Sequence, residues 1–77
     1  MALTIRRQLD LKGLRCPLPV ERTAAAMRDM ISGELVEVLA TDPRSVREFD
    51  AWARSTGADL LESSQLGNVF RFVLRKR

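Results

Sequence analysis

Gly13-Leu14-Arg15-Cys16-Pro17-Leu18-Pro19-Val20 joins a strand-like segment to a helical one, and it holds the chain's only cysteine and two of its three prolines. On its N-terminal side, Gln8-Leu9-Asp10-Leu11-Lys12 alternates polar and apolar residues, the period of a half-buried strand. On its C-terminal side, Val20, Ala24, Met27 and Ile31 recur at helical spacing and form one apolar face. Pro17 suits the first helical position, where a missing N–H costs nothing and the fixed φ already matches a helix. That reading makes Cys16 the N-cap, with its sulfur at the positive end of the helix macrodipole and Arg15 beside it. Such surroundings favour the thiolate, so the corner is expected to present a reactive cysteine. Pro17 and Pro19 each remove an amide donor, which leaves the Leu18 N–H as the expected backbone partner of the sulfur. An inert, buried cysteine beside a helix start fits the same residues, and exposure is what separates the two readings.

Working outward, the first strand is expected over residues 7–12 and the first helix over 17–32, with Gly33 as its left-handed cap. Leu35-Val36-Glu37-Val38-Leu39 is a nearly continuous apolar run, suited to a central second strand over residues 34–40. A helix of this length lets the two strands lie parallel. Thr41-Asp42-Pro43 ends the second strand, because Pro43 cannot donate to a ladder. Ser45 and Glu48 read as a capping box opening a second helix over residues 46–56. Val46, Phe49, Trp52 and Ala53 form its inner side, and Gly57 follows its end. A short third strand over 58–64, a reversal through Gln65-Leu66-Gly67-Asn68 and a fourth strand over 69–75 complete the chain. Phe70, Phe72 and Leu74 share one face of that last strand. The predicted order is βαβαββ: an α+β two-layer sandwich with both helices on one face of a four-stranded sheet. Seventy-seven residues suffice for a single domain, expected over 1–77.

The composition excludes much chemistry. Without histidine, neither a Ser-His-Asp nor a Cys-His arrangement can be built. One cysteine and no histidine make no zinc site of the usual kind, and no glycine-rich phosphate loop is present, so no metal or cofactor is expected. Asp10 and Asp42 are the acidic residues nearest the cysteine motif in the pattern, and Asp42 reads as a turn residue before Pro43. A single cysteine also permits no internal disulfide, in keeping with a reducing, cytoplasmic setting, and no stretch is long enough to span a bilayer.

Thirteen basic and ten acidic residues give a net charge of +3, with the excess at Arg6-Arg7, around Lys12 and Arg15, and at Arg75-Lys76-Arg77. Lys12 and Arg22 can orient an acidic protein partner or form a solvated face. With no tyrosine, and with the one tryptophan in a helical segment, direct nucleic-acid binding is not expected.

Leu9-Asp10, Gly13-Leu14, Cys16-Pro17-x-Pro19 and the later Asp42-Pro43 together resemble the TusA/SirA-like family of small sulfur carriers, from about Leu9 to Arg75. The resemblance implies a two-layer fold with a mixed sheet. It implies that Cys16 accepts sulfur as a persulfide, with Gly13, Arg15, Pro17 and Pro19 supporting the motif. It further implies a donor protein, such as a cysteine desulfurase or a rhodanese-like protein, and an acceptor protein, with the carrier itself a monomer. The destinations it implies are thiolation of transfer RNA, sulfuration of the molybdenum cofactor or sulfur oxidation. Some members carry a second cysteine in the second helix; here Ala53 stands at that place, so no internal resolving thiol is supplied. The competing reading is a redox-sensing or regulatory module whose cysteine responds to oxidants and transfers nothing.

Overall fold

The computed structural model describes residues 4–77. Its elements run β1 (Ile5–Asp10), α1 (Leu18–Met27), β2 (Leu35–Ala40), α2 (Ser45–Thr56), β3 (Asp59–Leu66) and β4 (Val69–Arg75), the predicted βαβαββ order. The sheet order is β1-β2-β4-β3. β1 runs parallel to β2, while β4 is antiparallel to both β2 and β3, so the sheet is mixed. The apolar run of β2 is an inner strand, as its composition requires.

Alternation decides the core. Val36, Val38 and Ala40 of β2 and Phe70, Phe72 and Leu74 of β4 turn the same way and meet Met27, Phe49 and Ala53 from the helices. Phe49 stacks on Phe72 at 4.5 Å between ring centroids, and Trp52 stands edge-on to Phe49 at the border of this cluster. On the opposite face Arg71 bridges Glu37 and Glu62, a surface arrangement worth little stability by itself.

Several element ends differ from the sequence expectation. β1 begins two residues earlier, at Ile5, because Leu35 offers it a ladder partner there. Leu11 is nevertheless buried, and its N–H donates to the Leu39 carbonyl at 2.8 Å. α1 ends at Met27 rather than near Ser32. Its last carbonyls are taken by a distant side chain, the Lys76 ammonium, which donates to Met27 at 2.6 Å and to Arg28 at 3.4 Å. Ile31 therefore lies outside the helix and is exposed, while Met30 turns into the core in its place. Gly33 is a loop residue and not a helix cap; its N–H donates to the Lys76 carbonyl at 2.7 Å. Val46 is exposed, and Ser45, Phe49 and Ala53 form the buried side of α2. β3 extends to Leu66, which leaves Gly67-Asn68 as the turn.

Gly57 closes α2 as expected, with φ of 78° and its N–H donating to the Ala53 carbonyl. A Cβ added there meets nothing within 4 Å, so the cost of Gly57→Ala is confined to the backbone. Left-handed geometry costs an L-residue about 1 kcal/mol. The expected result is a melting temperature lower by roughly 4–8 °C in a domain of this size. An unchanged thermal melt would show that the cap relaxes freely.

Candidate functional site

Cys16 lies in a tight turn between β1 and α1. The Leu18 N–H donates to the Arg15 carbonyl at 2.9 Å, which closes the turn around Cys16 and Pro17, and the peptide bond between those two is cis. Helix α1 thus begins at Leu18 with Pro17 as its N-cap. Two expectations are corrected here: Cys16 is one residue outside the cap, and the Leu18 amide serves the turn instead of the sulfur. Pro19 is fully buried and anchors the start of α1, while Pro17 is exposed. Gly13 has φ of 86°, a backbone state that favours glycine, and its N–H donates to Thr41 Oγ1 at 2.9 Å. Arg15 is exposed and has no ion pair among the described residues.

The loop after β2 holds this corner. Asp42 is buried, and its carboxylate accepts the Cys16 N–H at 2.8 Å and the Arg44 N–H at 2.9 Å. The Arg44 guanidinium adds contacts at 3.3 and 3.0 Å. The Asp42 carbonyl accepts the Ser45 N–H at 2.9 Å, so one residue ties the cysteine corner to the first turn of α2. Asp42 is therefore a structural hub and more than a turn former. The predicted capping box is absent: Arg44 is the N-cap, no side chain among the described residues caps this end, and Ser45 is a buried residue inside the first turn.

Cys16 is a free, half-buried cysteine. Burial and the Asp42 carboxylate push its thiol pKa up, as does Glu48; the Ser45 hydroxyl and the Arg44 guanidinium act the other way. This reverses the expectation of a readily ionised thiol. The charges that reach the sulfur come from residues 42–48, where carboxylates outweigh the single guanidinium, and Arg15 is not among them. Asp42, Arg44, Ser45 and Glu48 surround the sulfur, and local sequence pattern does not bring them together there. Only the Asp42-Pro43 pair hinted at them.

Lys12 pairs with its own neighbour Asp10 at 3.8 Å. At the C-terminus Arg75 and Arg77 both bind Asp59, at 2.6 and 3.0 Å, and Lys76 caps α1. Much of the C-terminal basic run is thus engaged within the fold.

A family model described as sulfurtransferase TusA matches residues 7–76. The chain belongs to the TusA family. Among TusA relatives, the sulfur carrier protein TusA of Allochromatium vinosum is 46% identical over 70 residues, covering 91% of this chain and 92% of that one. A putative sulfur carrier protein of Bacillus subtilis, YrkI, is 44% identical over 68 residues, covering 88% and 91%. The crystal structure of a SirA-like protein from Desulfitobacterium hafniense superposes with a TM-score of 0.79 at 24% identity, covering 90% of this chain and 95% of that chain, which establishes the shared fold.

Asp42 makes opposite demands on stability and reactivity. The Arg44 guanidinium, followed by the Cys16 and Arg44 amides, holds its carboxyl well below the usual carboxylate range. A carboxyl lowered in the fold stabilises above its unfolded pKa of about 4, and the contribution is lost as pH falls through the folded value. Asp42→Asn is expected to melt lower than wild type at neutral pH, with the gap narrowing below about pH 4. The same change removes a negative charge from beside the sulfur, so alkylation of Cys16 by iodoacetamide at pH 7 should accelerate about three- to tenfold. Slower alkylation in a folded variant would contradict this account.

Proposed function

We propose that this chain is a sulfur carrier whose Cys16 accepts one sulfur atom as a persulfide from a donor protein and passes it to an acceptor protein. Loading is an exchange without net oxidation. The Cys16 thiolate attacks the outer sulfur of a donor persulfide, a Cys16 Sγ–S bond forms, the donor's own S–S bond breaks, and the donor leaves as a thiolate that takes up a proton. In unloading an acceptor thiolate attacks the outer sulfur of the Cys16 persulfide, an acceptor S–S bond forms, the Cys16 Sγ–S bond breaks, and Cys16 leaves as a thiolate.

The observation that carries this reading is the placement of the chain's only cysteine, half-exposed on a corner pinned by the buried Asp42 carboxylate, in a member of the TusA family. Exchange of this kind needs an accessible sulfur and little other machinery.

Intact-mass spectrometry after incubation with a cysteine desulfurase and cysteine tests the proposal. The expected product is the chain plus one sulfur atom, reversed by a thiol acceptor. An unchanged mass with both desulfurase and rhodanese donors would overturn it.

A further inference from the structure

Ser45 Oγ is the one buried side-chain polar atom among the described residues that has no hydrogen-bond partner, and the residue is fully buried. A buried hydroxyl without a partner costs free energy, and such groups are retained where they serve something else. Ser45 sits in the first turn of the 12-residue α2, where amides and dipole favour negative charge. Its backbone N–H and that of Cys16 are both held by Asp42, one on the carbonyl and one on Oδ2, which brings the first turn of α2 against the cysteine corner. The hydroxyl has no hydrogen-bond partner among the described residues, and the thiol of the neighbouring Cys16 corner is the group whose ionisation it favours.

We propose that Ser45 is the hydrogen-bond donor for the sulfur anion carried on Cys16: its O–H meets the thiolate before loading and the persulfide anion after it. The inference rests on the carrier reading only for its second half. Of the charged groups that face the sulfur, Asp42 and Glu48 oppose an anion and Arg44 supports it, so a neutral donor supplies stabilisation that this set of charges withholds.

The test is the pH profile of iodoacetamide alkylation of Cys16 in wild type, Ser45→Ala and Ser45→Thr. Loss of the donor in Ser45→Ala is expected to raise the apparent thiol pKa by about one unit, a tenfold smaller thiolate fraction at neutral pH. Ser45→Thr keeps the hydroxyl and should follow wild type. Ser45→Ala removes a polar atom that has no partner, so its melting temperature should equal or exceed that of wild type. A Ser45→Ala profile that overlays wild type, or a Ser45→Thr profile that follows Ser45→Ala, would overturn the assignment. Alkylation needs no sulfur donor, so a failure of the carrier proposal in the mass experiment leaves this result separately readable.

Discussion

Cys16→Ser is expected to abolish sulfur loading completely while leaving the fold intact. The chain holds no other cysteine, so no second thiol can accept sulfur in its place. A serine hydroxyl is a weak nucleophile without an adjacent base, and the chain contains no histidine to act as one. Structurally the change is slight. The contact that pins the corner uses the backbone N–H of residue 16 on Asp42, and the side chain is only half-buried. Surface-level substitutions of this kind shift stability by about 0.5 kcal/mol or less. Matched melting curves together with loss of the added sulfur mass would place the chemistry on Sγ. A serine variant that still gained one sulfur would refute the role given to Cys16.

Phe72→Ala should be the most destabilising single change in the core. Phe72 is fully buried on the inner strand β4, opposite Val38 of β2, and stacks on Phe49. Truncating a buried phenylalanine removes its transfer free energy and leaves a cavity, about 3–5 kcal/mol together. Small domains hold roughly 0.05–0.15 kcal/mol per residue, so the loss is a large share of the total. Trp52, edge-on to Phe49, reports the transition by fluorescence. The urea midpoint is expected to fall by about 3 M or more, given a slope near 1 kcal/mol/M for small proteins. Leu66→Ala provides the contrast: that side chain is 86% exposed, and its change should stay within about 0.5 kcal/mol. Equal midpoints for the two variants would mean that the core is not centred on the Phe49–Phe72 stack.

Local pattern made much of this architecture legible. The apolar run at Leu35–Leu39, the alternation from Phe70 to Leu74 and the glycines at 57 and 67 each act within a few residues. The element order and the bounds of β4 follow from them. The errors fall where distant residues intervene. Ile31 continues the helical period of α1, yet Lys76 closes that helix a turn earlier. Ser45 and Glu48 have capping-box spacing, yet Asp42 organises that turn and Ser45 is drawn inward.

The site divides in the same way. The sequence by itself left one atom for the proposed sulfur-carrying role, since a chain with one cysteine and no histidine offers no other nucleophile of that kind. It also set the stiffness of the corner, because the prolines at 17 and 19 restrict φ wherever they stand. Only the tertiary structure decided how acidic that thiol is. The groups that act on the sulfur lie 26 to 32 positions away along the chain, from Asp42 to Glu48, and Coulomb energies depend on distance through space and on burial, which linear spacing does not contain.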